Sequence, residues 1–289
     1  MASLGFNLDG QTAIVTGGTS GIGEAIAGAM LDAGANVLVG SRSEEKVDAA
    51  RKALAQGRDA SKLLATRIDI ADTATFDAAL EAGVERFGRV DVLVNCAGVN
   101  LKKPTIEVGD EEHRFVMEVD YFGPFRASQA FVRQVAKQNN VACGSPTPAD
   151  ASNRIGQAGF GGSIVNVCSV TSFLALSEVS TYAAAKSALL GLTRQLAVEW
   201  PRRYGVRVNA IAPGFVPADQ NREILKSGDR GRRILENTPM QRFGTPDEIA
   251  GAAVFLSSPA GRFVNGACIN IDGGFMIHGV SDAEPRDEA

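Results

Sequence analysis

Short β-branched runs alternate with longer amphipathic ones along almost the whole chain. T-A-I-V-T at 12–16, N-V-L-V-G-S at 36–41, L-L-A-T-R-I at 63–68 and V-D-V-L-V-N at 90–95 read as strands. So do S-I-V-N-V-C-S at 163–169, V-R-V-N-A-I at 206–211 and A-C-I-N-I at 267–271. Between them the pattern predicts helices at 21–33 (closed by Gly34), from Ser43 onward, and at 73–87, 111–137, 181–200 and 246–257. Glu44 and Glu45, and Asp247 and Glu248 behind Pro246, stand in first turns, where carboxylates meet the positive end of the helix dipole. Strands this continuously apolar are buried on both faces, which implies a parallel sheet covered by helices on each side. Right-handed crossovers then give one doubly wound α/β domain of about seven strands over 1–289, with its ligand outside the strand C-termini.

Three stretches break the rhythm. Residues 139–162 are rich in Gly, Pro, Ser and Asn and read as a long surface insertion before the fifth strand. Residues 217–245 form a polar, Arg-rich excursion with a short helix near 229–237. The charged tail, 281–289, is expected to be loosely ordered.

Composition narrows the chemistry. The net charge is −4, with no basic stripe interleaved with aromatics, which argues against nucleic acid as a partner. No apolar run approaches the ~18 residues of a membrane span, and the first ten residues do not read as a secretion signal. Cys96, Cys143, Cys168 and Cys268 lack metal-like spacing and read as reduced thiols, which fits the cytoplasm. His113 and His278 are isolated, so no catalytic metal is expected.

The first strand runs straight into T-G-G-T-S-G-I-G, Thr16 to Gly23. Glycines here let the chain turn tightly and let a pyrophosphate approach the N–H groups of the next helix. Alone, such a cluster is equally a plain strand-to-helix turn. Far downstream, Tyr182 and Lys186 stand four apart on one predicted helix and share a face, thirteen residues after Ser169. A phenol beside an ammonium group can exchange a proton with a substrate oxygen, and a nearby hydroxyl can hold that oxygen.

In this order the motifs resemble the short-chain dehydrogenase/reductases over about residues 8–275. The markers are the glycine turn, Asp69, N-C-A-G at 95–98, the Ser169/Tyr182/Lys186 set and Pro213-Gly214. The resemblance implies a Rossmann-type sheet, a nicotinamide cofactor and hydride transfer. It further implies that Gly17, Thr19, Ser20, Gly21, Ile22 and Gly23 cradle the pyrophosphate. Asp69, with Ile70 beside it, would meet the adenine; Asp69 could equally be a helix N-terminal carboxylate. Asn95, Ala97 and Gly98 would shape the ribose side, and Pro213, Gly214, Phe215 and Val216 the nicotinamide face. Tyr182 would be the proton donor or acceptor, its pKa brought down by Lys186 and the oxidised nicotinamide. Lys186 would also hold the nicotinamide ribose. At the end of the second strand an NAD enzyme usually carries an acid, whereas this chain has Ser41 and Arg42. A hydroxyl and a guanidinium suit a 2′-phosphate, so NADP(H) is expected over NAD(H); Arg42 could also simply solvate a helix start. One position departs from the family pattern: Asp120 stands where Asn is usual, placing a negative charge near Lys186 in the catalytic relay.

Substrate signals are thinner. The segments at 213–222, 238–244 and 272–280 look like those of a sugar-acid branch of the family, described as mannonate or fructuronate oxidoreductases. A hydroxy acid would need a cationic clamp, for which Arg222, Arg233, Lys102 and Lys103 are candidates. Thr171 and Ser172 could bind hydroxyls, and 217–245 would close over the site. The alternatives are a reductase of a 3-oxoacyl thioester or small cyclic ketone, and a non-catalytic NADP-binding scaffold. Few aromatics in the lid argue against a bulky apolar substrate. The small-molecule substrate aside, the expected partner is the chain itself. A homotetramer or homodimer would form through the helices at 111–137 and 181–200, where Ala183, Ala184, Ala188 and Gly191 permit close packing across subunits or within one.

Overall fold

The computed structural model describes residues 5–143, 161–217 and 229–279. The expected loop insertion, most of which spans 144–160, the first half of the lid and the tail lie outside them.

All seven expected strands form. They are β1 Thr12–Thr16, β2 Asn36–Ser41, β3 Leu63–Arg67, β4 Val92–Asn95, β5 Gly162–Val167, β6 Val206–Pro213 and β7 Cys268–Ile271. They make one sheet in the order β3-β2-β1-β4-β5-β6-β7, parallel at every pairing. The helices are α1 Gly21–Asp32, α2 Glu44–Ala55, α3 Thr73–Phe87, α4 Asp110–Met117, α5 Gly123–Gln138, α6 Ser180–Glu199, α7 Asp229–Glu236 and α8 Pro246–Ser257. Ser43 caps α2 as its sequence suggests, its side chain accepting from the Lys46 N–H, and Thr245 and Glu248 form a capping box on α8.

Strand alternation sorts the core into two layers. Ala13, Val15, Val37, Val39 and Val94 pack under α1, α2 and α8, against Ile26, Met30, Leu54 and Ile249. Ile14, Leu38, Leu93 and Ile164 face the other way, against Phe76, Leu80, Phe131, Val135 and Leu196 of α3, α5 and α6. Both faces are therefore dry, as the continuous apolar runs require. The chain order reverses between β1 and β4, and the crevice of such a sheet opens there, beyond the strand C-termini.

The helix expected over 111–137 is broken. A π-helical turn, Glu118–Phe122, separates α4 from α5, closed by the Gly123 N–H donating to the Glu118 carbonyl five residues back. Pro124 is the physical reason: it has no N–H to give the carbonyl of Asp120, so an uninterrupted α-helix cannot pass through this point. The turn leaves Asp120 at its centre, fully buried.

Candidate active site

The glycine turn is built for close approach. Gly17 has φ +66°, and a Cβ there would lie 2.8 Å from the Ala97 backbone, so the turn presses directly on the end of β4. Thr16 ties the same junction: its Oγ1 accepts from the Cys96 and Ala97 N–H groups at 3.2 Å each. Ser20 occupies the N-cap of α1, yet its side chain makes no capping bond, which leaves the first-turn N–H groups of α1 for an anion. Thr19 and Gly23 are buried, Gly21 and Ile22 half-buried, and Ser20 exposed. This cradle fits a dinucleotide pyrophosphate.

The adenosine side has a mixed outcome. Asp69 does not cap α3; Asp72 does, accepting from the Ala74 N–H at 3.1 Å. The Asp69 carboxylate instead accepts from the Ala71 N–H at 3.1 Å and stays half-buried at the crevice end of β3. Ile70 is buried, its side chain filling the space where Gly123 lacks a Cβ. Asn95, expected to shape the end of β4 on the ribose side, is 1% exposed and turns inward. Its Nδ2 donates to Asn166 Oδ1 (2.8 Å) and Ser128 Oγ (3.2 Å), and Asn166 passes the chain on to Thr193 (2.9 Å). Asn95 thus stiffens the crevice floor from beneath, while Ala97 and Gly98 are half-buried above it. Ser41 Oγ donates to the Ser43 carbonyl at 3.4 Å, and exposed Arg42 stands 5.9 Å from the ring centroid of Phe115. No sequence spacing pairs Arg42 with Phe115. At the end of β6 and just beyond it, Pro213 and Val216 are buried, Gly214 N–H donates to Ile271 O (2.9 Å), and Phe215 meets Phe275 edge-on at 5.0 Å.

Ser169, Tyr182, Lys186 and Asp120 come together. Ser169 follows β5 and heads a short 3-10 turn, its Oγ accepting from the Thr171 N–H at 3.2 Å. Tyr182 and Lys186 lie in the first turns of α6, the Lys186 Nζ 5.6 Å from the Tyr182 ring centroid. Lys186 is buried and donates to the Val167 carbonyl at 3.0 Å. Asp120 Oδ1 accepts from the Val99 N–H at 2.7 Å; Oδ2 faces Lys186 Nζ at 3.5 Å and has no hydrogen-bond partner among the described residues. A Cβ on Gly98 would meet both Asp120 oxygens and Lys186 Nζ at 3.3–3.4 Å, so Gly98 packs closely over the pair.

Burial governs the ionisation here. It pushes the Asp120 carboxyl above its ordinary value, against the pull of Lys186 and the Val99 N–H. Burial works against the Lys186 ammonium, but Asp120 and Tyr182 outweigh it and hold Lys186 above the usual lysine range. Tyr182 feels opposing influences from the protein's own groups. Desolvation pushes its phenol up, further than Lys186 and the Ser169 hydroxyl pull it down, and Asp120 adds to the rise. Lys186 alone therefore leaves Tyr182 protonated, the form that donates a proton. Cys96 and Cys168 are pushed up to about 11 and about 12 by burial, so neither is a thiolate nucleophile. All four cysteines are free, no metal cluster occurs among the described residues, and no described helix is long and apolar enough to cross a membrane.

The cationic candidates part company. Lys103 is taken by Glu112 at 2.9 Å. Lys102 and Arg233 line a cleft of about 490 Å³, with Arg230, Asp229, Leu176, Phe215, Asn237 and Phe275. Arg222 lies outside the described residues. Thr171 and Ser172 each have a buried hydroxyl without a partner among the described residues. Sequence reasoning missed Glu178, which lies 3.4 Å from Lys102 and 3.9 Å from Arg230.

Comparison with known proteins agrees with this geometry. The family described as "Enoyl-(Acyl carrier protein) reductase" matches residues 17–276. The chain is 35% identical to 2-dehydro-3-deoxy-D-gluconate 5-dehydrogenase of Dickeya dadantii, covering 94% of this chain and 97% of that protein. It is 37% identical to D-threitol dehydrogenase of Mycolicibacterium smegmatis, over 94% and 95% of the two chains. Among solved structures, a gluconate 5-dehydrogenase from Burkholderia cenocepacia J2315 in complex with NADP and tartrate superposes with TM-score 0.81 at 32% identity, covering 94% of this chain and 97% of that one. The matched residues span the glycine turn, the Ser169/Tyr182/Lys186 set and the segment after β6, and the chain belongs to the short-chain dehydrogenase/reductases, oxidoreductases working between a nicotinamide cofactor and a hydroxyl or keto group.

Proposed function

We propose that the protein interconverts a keto group and a secondary alcohol on a sugar acid, with NADP(H) preferred over NAD(H). The observation that carries this reading is the cationic rim of the 490 Å³ cleft, which is lined also by Phe215, a residue expected at the nicotinamide face. An acid substrate needs such a rim, and relatives that act on or hold sugar acids and tartrate support it. The cofactor preference rests on exposed Arg42, with no acid at the end of β2. A 2′-phosphate would bind a guanidinium that an adenosine diol would not need.

In reduction, Tyr182 gives its phenolic proton to the substrate oxygen; in oxidation it takes the proton back. Ser169 Oγ holds that oxygen, already oriented by the Thr171 N–H. The Thr171 hydroxyl, buried and without a partner among the described residues, gains from a substrate hydroxyl, because an unmade buried hydrogen bond is costly. Lys186 and Asp120 act as one unit beneath Tyr182, with Asp120 in the place of the family's Asn. Bound, the nicotinamide supplies or accepts the hydride. The residues of the glycine turn hold the cofactor's phosphates and do not touch the reacting carbon.

A neutral polyol is the second reading, favoured by the likeness to D-threitol dehydrogenase. Following NADPH and NADH absorbance with keto sugar acids, keto sugars and cyclic ketones separates the readings. Turnover of the acids with NADPH is expected; turnover of ketones alone, or binding without turnover, would overturn the proposal. Arg42→Asp should lower kcat/KM for NADPH by about tenfold or more relative to NADH, the loss of one charge-assisted contact and the gain of one repulsion. Association through the α4–α5 and α6 faces completes the reading: Phe115, Phe122 and Val198 are exposed there, and Ala184 and Gly191 face outward. Light scattering should give a dimer or tetramer.

A further inference from the structure

The cleft is nearly neutral although three cations stand on its rim. Lys102 comes from the β4–α4 connection, and Arg230 and Arg233 from α7. Glu178, from the loop before α6, reaches both Lys102 (3.4 Å) and Arg230 (3.9 Å). Asp229 pairs with Arg232 (3.3 Å), and Arg232 also with Glu236 (2.7 Å). Arg233 is the one cation of this group with no ion pair among the described residues, and it is exposed at the cleft. Four cations (Lys102, Arg230, Arg232, Arg233) against three carboxylates (Glu178, Asp229, Glu236) leave a net charge of +1. The ion pairs around it do not alter the sum. Lys103 is balanced by Glu112, Lys186 by Asp120 and Arg242 by Glu248.

Glu178 is held in place at a cost. Its φ is +67°, a left-handed conformation uncommon for a residue with a Cβ, and its carbonyl is fixed by the Lys103 N–H at 2.8 Å. The strain sets a carboxylate between the two cations from opposite sides of the cleft. The pairs themselves are solvent-exposed and long, so they hold weakly. Their effect is on the charge the cleft shows to a ligand.

We infer that Glu178 makes the cleft select a substrate with a single carboxylate, by cancelling one of the two net positive charges that the cleft would otherwise show to a ligand. This rests on the sugar-acid reading and narrows it to monoanionic aldonate-type acids over dianionic aldarates. A monoanion matches the net +1. A dianion leaves one carboxylate facing Glu178, and like charges across a binding site exclude the wrong ligand more effectively than attraction selects the right one.

The test is calorimetric binding to the NADP-loaded full chain, with three probes of equal length: an aldonate, its aldarate and the neutral polyol. Wild type is expected to bind the aldonate about tenfold or more tightly than the aldarate. Glu178→Gln removes one negative charge, which helps a dianion more than a monoanion, so the aldarate-to-aldonate affinity ratio should rise about tenfold. Arg230→Gln takes the net charge to zero and should weaken the aldonate by about the same factor, a second arm in case Glu178→Gln fails to fold. An unchanged ratio in Glu178→Gln, with an unchanged melting temperature, overturns the inference while the acid reading stands. A wild type that binds the polyol and neither acid overturns the acid reading itself.

Discussion

The floor of the catalytic crevice and the rim of the cleft both rest on ion pairs, and they differ in almost every physical respect. At the floor, Asp120 and Lys186 are 0% and 3% exposed, fixed by backbone partners on either side. At the rim, Lys102, Glu178 and Arg230 are open to water and meet at 3.4–3.9 Å. A buried pair cannot lose one member without leaving an uncompensated charge in a dry place, whereas an exposed pair trades its partner for water at little cost. The floor therefore sets ionisation and geometry, which the reaction needs constant. The rim sets charge, which is what a substrate reads.

The largest expected effect is at the floor. Tyr182→Phe removes the proton donor and should lower kcat about a thousandfold, the scale of general acid–base catalysis, while NADP binding measured by fluorescence titration persists. Retained turnover would mean that the buried phenol is structural and that floor and rim do not divide the labour in this way. Next is Lys186→Met, which leaves Asp120 buried and unpaired and should cost about 3–5 kcal/mol by denaturant unfolding. The pH dependence has a definite sign. Asp120 is already raised by burial, and losing Lys186 removes the largest influence lowering it. A carboxyl raised in the fold stabilises the protein below its unfolded value of about 3.9 and loses that contribution as pH rises through the folded value. The variant should thus come nearest to wild type in acid and fall behind as pH rises.

Asp120→Asn also unpairs a buried charge, that of Lys186, but it keeps the side chain's shape and reads the ionisation of the floor directly. Asp120 raises the pKa of Tyr182, so the neutral amide should lower it. Alcohol oxidation needs the ionised phenol, and its rise with pH should begin at lower pH in the variant. A profile that does not move, or moves to higher pH, would separate Asp120 from the tyrosine.

Much of the floor was legible in the chain, and little of the rim. The strands announced themselves because burial on both faces demands unbroken apolar runs, and Ser169, Tyr182 and Lys186 are spaced by one strand end and one helix. Where a single helix was expected over 111–137, Pro124 was the visible sign of the break, yet nothing local says that the interruption takes π form or centres on Asp120. Asn95 was placed on the ribose side by the resemblance carried by N-C-A-G at 95–98. Its inward turn depends on Ser128 and Asn166, on two other elements. Glu178 had no signal at all. Its partners come from the β4–α4 connection and from α7, and its left-handed backbone is a feature that sequence assigns to glycine or asparagine.

The smallest effect tests the rim directly. Lys102→Gln breaks the exposed pair with Glu178, and because both side chains are already hydrated it should change unfolding free energy by less than about 0.5 kcal/mol. Glu178 retains Arg230, so the loop before α6 need not move. What should change is recognition: the net +1 of the cleft falls to zero, and KM for an acid substrate should rise several-fold while kcat holds, the mark of binding shared by ground and transition states. A loss of stability comparable to that of Lys186→Met would show that the rim is as dry as the floor, and the contrast between them would fail.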